Sequence, residues 1–260
     1  MSKPTKDPKS PPAKSSKNSA GQLKASLAKV AFPLDSEKTA ALKWVKLLGN
    51  QVGCLKVGLE LFVSAGPSVL AKIRDLAPET KIFLDLKLND IPATMAQATL
   101  AAVKHQVDYL TVHAQAGTEA LKAVAAVAGP IKLLAVTVLT SLKPEELPEL
   151  APAYQEPFQW TLTLAQRALD AGISGLVTSP AEVAVLRAKF GASPFLVVPG
   201  IRPTWSEVPS DDQKRIGTPA MAIAAGADLL VVGRPIRMAK DPLQALMDIG
   251  QEIRERLFAA

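Results

Sequence analysis

The stretch KIFLDLKLND runs from Lys81 to Asp90 and puts Asp85, Lys87 and Asp90 at the end of an otherwise apolar run. Side chains alternate along a β-strand. Phe83, Asp85 and Lys87 therefore fall on one face, and Ile82, Leu84, Leu86 and Leu88 on the other. The second face is wholly apolar and is expected to pack on helices. The first then points inward, with its ions at the carboxyl end of the strand. Taking an ion out of water costs several kcal/mol, so three ions at this place need a partner network or a chemical use.

The surroundings of this strand decide the architecture. Eight short β-branched or apolar runs, at residues 29–34, 53–58, 81–86, 109–113, 132–138, 175–178, 195–199 and 229–233, alternate with Ala/Leu-rich amphipathic stretches. A closing helix is expected from PLQALMDIGQEIRERLFAA, and KPEELPELAPAYQEP reads as a loop with short helical turns. Near-continuously apolar strands alternating with helices imply a parallel sheet. Eight such units fit a (β/α)8 barrel better than an open doubly wound sheet. Neither G-x-G-x-x-G after the first strand nor G-x-x-x-x-G-K-[ST] is present, so the common nucleotide-fold fingerprints are missing. The expected organisation is a single α/β domain, a barrel over residues 23–260, preceded by a disordered basic tail over residues 1–22.

Active sites of such barrels sit at the carboxyl ends of the strands, and several other strands carry polar groups there. In GCLKVGLE, Lys56 shares a face with Cys54 and Gly58, which aims it into the same mouth as Asp85 and Lys87. Lys56, Asp85, Lys87 and Asp90 alternate in sign and sum to zero, so each offsets part of its neighbours' desolvation. A purely structural ion cluster is the plain alternative. It is disfavoured because apolar residues often replace buried ion networks at no loss of stability. VPGIRP after the seventh strand supplies Arg202, and VVGRPI after the eighth supplies Gly233 and Arg234. Loops at these two places are the usual phosphate site of the fold, and arginine suits phosphate by binding two oxygens. The long polar loop IRPTWSEVPSDDQKRIG between them has the character of a lid, with Trp205 either covering a ligand or packing.

Charge narrows the partners. Net charge is +6, but residues 1–20 carry five lysines (Lys3, Lys6, Lys9, Lys14, Lys17) against Asp7, so the rest of the chain is close to neutral. That is poor support for nucleic-acid binding, which needs basic side chains clustered on a folded face. The tail is Lys-, Ser- and Pro-rich, cannot repay its ordering entropy, and has neither the apolar core of a secretory signal nor the arginines of a transit peptide, the first being Arg74. No apolar run approaches the ~20 residues that span a bilayer. One cysteine, Cys54, allows no intrachain disulfide and fits a reducing, cytoplasmic setting; His105 and His113 do not make a metal site by themselves.

Taken together and in order, KVGLELF, FLDLKLNDIPAT, VTVLTS, PGIRP, DDQKR and GADLLVVGRPI resemble the orotidine 5′-phosphate decarboxylase family, from about Val30 to the C-terminus. The resemblance implies decarboxylation of orotidine 5′-phosphate to uridine 5′-phosphate, with neither cofactor nor metal. It implies that Lys87 protonates the C6 carbanion, that Asp85 holds Lys87 and faces the departing carboxylate, and that Lys56 neutralises Asp85 and contacts the ribose. Asp90 corresponds to a carboxylate contributed across a homodimer interface. Asp35 is implied to contact ribose hydroxyls, Thr140 the pyrimidine, and Arg202, Gln213, Gly233 and Arg234 the phosphate; Thr94 ends the substrate-binding stretch. Membranes and nucleic acids are not expected partners.

The chain departs from the family pattern at Asn89 and Ala93, where histidine and asparagine are usual, at Ala116, and at Pro33 in the first strand. Two other readings compete. One is a Mg²⁺-dependent sugar-phosphate decarboxylase or synthase of the same superfamily, which tends to carry a carboxylate where Lys56 stands. The other is a nucleotide-binding protein without turnover, which the intact ion set disfavours.

Overall fold

The structure is a computed structural model that describes residues 16–154, 156–206 and 215–258. Its eight strands are β1 (Val30–Pro33), β2 (Cys54–Val57), β3 (Lys81–Leu88), β4 (Tyr109–His113), β5 (Lys132–Val136), β6 (Gly175–Val177), β7 (Phe195–Val198) and β8 (Leu229–Val231). All neighbours run parallel, and β8 pairs with β1, so the sheet closes into a barrel in chain order. The helices that matter below are α1 (Ser16–Leu27), α2 (Lys38–Leu48), α3 (Leu59–Ala65), α4 (Ser68–Leu76), α5 (Pro92–Lys104), α6 (Thr118–Val127), α7 (Leu147–Leu150), α8 (Pro157–Asp170), α9 (Val183–Phe190), α10 (Pro219–Ala225), α11 (Arg234–Arg237) and α12 (Pro242–Leu257). Among these, α5, α8, α10, α11 and α12 begin with proline at the first or second helical position. There the missing N–H costs no helical hydrogen bond and φ is already set.

Period-two alternation divides the strands between two apolar clusters. Ala31, Cys54, Phe83, Tyr109, Leu134, Val197 and Leu229 fill the barrel interior. Their neighbours Val30, Phe32, Leu55, Ile82, Leu84 and Leu230 face the helices. Phe83 meets Tyr109 edge-on at 6.0 Å, and Tyr109 stacks on Phe195 at 5.8 Å. Lys81 and Lys132 lie over the Tyr109 and Phe195 rings. These residues begin their strands, so aromatic rings and lysine stems seal the amino-terminal end, and the opposite end is left to polar groups.

Two features differ from the sequence expectation. The tail expected to stay disordered through residue 22 is helical from Ser16, because α1 packs on α12. A Cβ at Gly250 of α12 would lie 2.6 Å from Leu27 and 3.0 Å from Leu23, so the missing side chain is what lets the helices approach. Residues 16–22 are thus part of a packed helix; the rest of the expected tail, residues 1–15, lies outside the described residues.

The second difference is in β3. Leu84 pairs with Leu110, but Leu88 pairs with Val112, so four steps along β3 match two along β4. The extra residues form a bulge, which bends a strand and re-aims a side chain. Lys87 adopts φ +49°, a left-handed conformation that costs a residue with a Cβ about 1–3 kcal/mol. Lys87 still reaches the cavity, as alternation from Phe83 and Asp85 suggests, but it does so through the bulge and not by regular pairing.

Candidate active site

The bulge is pinned from β4. Thr111 lies on the inward face with Tyr109; its hydroxyl accepts the Lys87 amide at 2.8 Å and donates to Asp85 Oδ1 at 3.0 Å. Lys87 Nζ turns back to Asp85 Oδ1 at 2.9 Å. Lys56 Nζ, from β2, lies 3.0 Å from Asp85 Oδ2 and 3.4 Å from Asp35 Oδ1. The result is a chain Asp35–Lys56–Asp85–Lys87 of alternating sign across the ends of β1, β2 and β3. Gly58 makes room for it, since a Cβ there would sit 3.0 Å from the Asp35 carboxylate and 3.3 Å from Lys56 Nζ.

The chain fixes charge states. Burial pushes the Asp85 carboxyl up, but the Lys56 and Lys87 ammonium groups beside it outweigh burial and bring its pKa down to about 2. Burial likewise disfavours the Lys56 cation, and Asp85 with Asp35 more than compensates, raising its pKa. At neutral pH the centre of the site is an ionised Asp85 bridged between two lysines. His113, at the end of β4, is held below the usual histidine value by burial and by the Lys87 charge.

Above these ions is a cavity of about 500 Å³ lined by the carboxyl ends of the strands. Asp35, Lys56, Asp85 and Lys87 form one side, and Arg202, Gly233 and Arg234 another. β7 lies four strands from β3, so the Arg202 loop faces Lys87 across the barrel. Thr140 lines the cavity beyond β5. Gly233 packs tightly on Pro33, where a Cβ would approach the proline ring to 2.7 Å. Pro33 is thus part of the wall between the first and last strands, which accounts for one departure noted in the sequence.

Not every expected residue joins this cavity. Asp90, on the β3–α5 connection, whose carboxylate accepts the Ile91 amide at 2.7 Å, and Thr94, in the first turn of α5, are both exposed and outside the lining. Asn89 and Ala93 are exposed beside them. Gln213 lies outside the described residues. Trp205 is exposed and does not line the cavity.

Three contributors escaped the sequence reading. Thr111 was readable as a polar residue on an inward face. Arg237 lines the cavity and donates to the carbonyls of Pro33, at 2.7 Å, and Asp35, fixing the end of β1; its spacing of three from Arg234 puts both on one side of α11. Glu182 is buried behind the cavity and pairs with Arg215. Its only signal was the S-x-x-E pattern of Ser179–Glu182, which reads as a helix start and forms one.

A closed parallel barrel with its polar residues gathered at the carboxyl-terminal mouth is the architecture of a (β/α)8-barrel enzyme. Comparison with known proteins gives the particular one: the family model described as orotidine 5′-phosphate decarboxylase / HUMPS family matches residues 28–249, and the chain belongs to that family. It is 48% identical to the orotidine 5′-phosphate decarboxylase of Gloeothece citriformis over 232 residues, covering 87% of this chain and 98% of the relative. With that of Thermobifida fusca it shares 41% over 230 residues, 88% and 97% of the two chains. The crystal structure of orotidine 5′-phosphate decarboxylase from Lactobacillus acidophilus superposes with a TM-score of 0.74 at 35% identity, covering 86% of this chain and 98% of that one.

Proposed function

We propose that the protein converts orotidine 5′-phosphate to uridine 5′-phosphate and carbon dioxide, without metal or cofactor, as the last step of de novo pyrimidine nucleotide synthesis. The observation that carries the reading is the Lys56–Asp85–Lys87 chain at the mouth of a cavity that Arg202 and Arg234 also line. In the proposed reaction the bond from C6 to the carboxylate breaks, carbon dioxide leaves, and the electron pair stays on C6. The Lys87 ammonium gives C6 its proton, and the neutral amine regains one from solvent. Asp85 orients Lys87 and faces the departing carboxylate; Lys56 keeps Asp85 ionised and reaches the ribose with Asp35. Thr140 flanks the pyrimidine. Arg202, Gly233, Arg234 and Gln213 take the phosphate, and Thr94 borders the substrate-binding stretch. Phosphate binding far from the breaking bond supplies energy to hold the charged base in the desolvated end.

The Mg²⁺-dependent alternative is disfavoured by Lys56, whose Nζ occupies the space between the Asp35 and Asp85 carboxylates that a cation would need. The relatives cited above at 41–48% identity all bear the decarboxylase name. A homodimer that shares Asp90, and a cytoplasmic location, belong to the same proposal. Exposure of Asp90 outside its own subunit's cavity supports the first; the second follows from a phosphorylated substrate that does not cross membranes unaided. Among the described residues no helix is long and apolar enough to span a bilayer.

The test is the loss of orotidine 5′-phosphate absorbance on adding purified protein, with and without EDTA. Rapid loss in both supports the reading. No loss from folded protein overturns it, and loss that EDTA abolishes moves the protein to the metal-dependent branch. Arg234→Ala separates the two ends of the cavity. It is expected to lower kcat/KM for the phosphorylated substrate by about 100-fold or more, the value of one bidentate charged contact or two, and to leave turnover of the bare nucleoside orotidine nearly unchanged. Equal losses on both would remove Arg234 from the phosphate site.

A further inference from the structure

Glu182 and Arg215 have no part in the chemistry above, yet they form a buried, hydrogen-bonded ion pair next to the cavity. Glu182 is 3% exposed, in the turn that follows β6. One carboxylate oxygen, Oε2, accepts from the Thr178 hydroxyl at 2.8 Å and from the Ser179 hydroxyl and amide at 2.7 and 3.0 Å. The other, Oε1, accepts from the Thr161 hydroxyl of α8 at 2.9 Å and from Arg215 Nη1. A carboxylate needed only to cap a turn would do so at the surface, without the desolvation cost of this position.

What the burial achieves is visible at the other nitrogen of Arg215. Nη2 donates to the carbonyls of Val138, at 3.1 Å, and Leu139, at 2.7 Å. β5 has ended at Val136, so these carbonyls lie beyond the strand ladder. The Leu139 carbonyl also accepts the Leu142 amide at 3.1 Å, closing the turn that carries Thr140 and Ser141 into the cavity. Leu139 is 43% exposed, so burial of its own side chain does not hold that turn. The guanidinium does, and it is itself fixed by the buried carboxylate. A planar fork serves a carboxylate with one nitrogen and two carbonyls with the other; a lysine's three donors radiate from a single point and do not match that spread.

We infer that Arg215 is a positioning residue for catalysis: clamped by Glu182, it holds the Leu139–Leu142 turn so that Thr140 and Ser141 meet the pyrimidine end of the substrate. The inference rests on the proposed decarboxylase reading and assigns Arg215 no contact with the substrate.

The experiment compares wild type, Arg215→Lys and Arg215→Ala. For each it measures kcat and KM for orotidine 5′-phosphate, the inhibition constants of uridine 5′-phosphate and inorganic phosphate, and the melting temperature, with kinetics read well below the melting temperature. Arg215→Ala is expected to lose about 100-fold in kcat/KM, the scale of a displaced binding group. Arg215→Lys, which keeps a cation beside Glu182, should lose nearly as much. Uridine 5′-phosphate should lose more affinity for both variants than inorganic phosphate does, because only the nucleotide meets the Leu139–Leu142 turn, although Arg215 shares its loop with Arg202 and Gln213. Millimolar guanidinium ion should restore part of the Arg215→Ala rate. A brace that serves only stability predicts lower melting temperatures with wild-type kinetics, and that result overturns the inference. Should Arg215→Ala fail to fold, Arg215→Lys decides: activity within threefold of wild type refutes the role of the fork. An inactive wild type would instead strike the functional reading itself, and this inference with it; an active wild type beside unimpaired variants removes the inference alone.

Discussion

Lys87→Ala is expected to lower kcat for orotidine 5′-phosphate by about 10⁴-fold or more, the upper range for loss of a positioned general acid, while uridine 5′-phosphate still binds within about tenfold of wild type, or about 1.4 kcal/mol. The two halves of this expectation come from different parts of the site. Turnover needs a proton at C6, and Lys87 is the ammonium that the β3 bulge, the Thr111 hydroxyl and Asp85 together aim into the cavity. In the proposed reading, binding of the product depends on Arg202, Arg234, Asp35 and Lys56, none of which needs Lys87. The deletion does not strand Asp85 either, since Lys56 remains 3.0 Å from its other oxygen. The measurements are single-turnover decay of substrate absorbance and calorimetric titration of product. A kcat within about 100-fold of wild type would exclude Lys87 as the proton donor, because that is less than one such group contributes.

The same residue shows what a sequence carries plainly and what it hides. Eight strands were readable because each is an apolar run closed by turn residues, and their faces followed from alternation, as Cys54 and Phe83 inside and Leu55 and Ile82 outside illustrate. Their ends were less so. β8 stops at Val231, short of the expected residue 233, because Gly233 turns with φ −108° and ψ −86° to begin α11. The bulge in β3 was not readable, because counting by two contains no register shift. That shift rests on Thr111, 24 residues further along, as the acceptor for the Lys87 amide. The start of α1 was missed for a similar reason: the partner that orders it, Gly250, is at the far end of the chain. Arg237 reaches Pro33 and Asp35 across more than 200 residues. Local pattern reveals elements and the ions at their ends; the contacts that aim those ions come from the closure of the barrel, which brings β1 beside β8.

Asp90 gives the other large effect. Asp90→Ala is expected to cost about 10³-fold or more in kcat, on the scale of a lost charged group in a preorganised site, although its carboxylate lies outside the cavity of its own subunit. If the group acts in a neighbouring subunit, two inactive variants repair one another. In a two-fold symmetric dimer each patch meets its own counterpart. A mixed dimer of Lys87→Ala with Asp90→Ala then has one site lacking both groups and one site with both intact. Random exchange makes half the dimers mixed, so recovery should approach about a quarter of the wild-type rate per subunit. The face that would meet is apolar as well as acidic: Ile91 beside Asp90 is 65% exposed, and Leu59 and Val63 on α3, which leaves the adjacent strand, are 53% and 79% exposed. Burying three such side chains is worth about 1.5–3 kcal/mol each, a gain available only if a second copy covers them. The experiment mixes the two purified variants, verifies subunit exchange by mass spectrometry of differently tagged chains, and follows decarboxylation with time. Activity that rises with the mixed fraction assigns Asp90 to the neighbouring site. Exchange without recovery would confine Asp90 to its own subunit, and the exposed turn at Ile91 would then have to close over the cavity from the same chain.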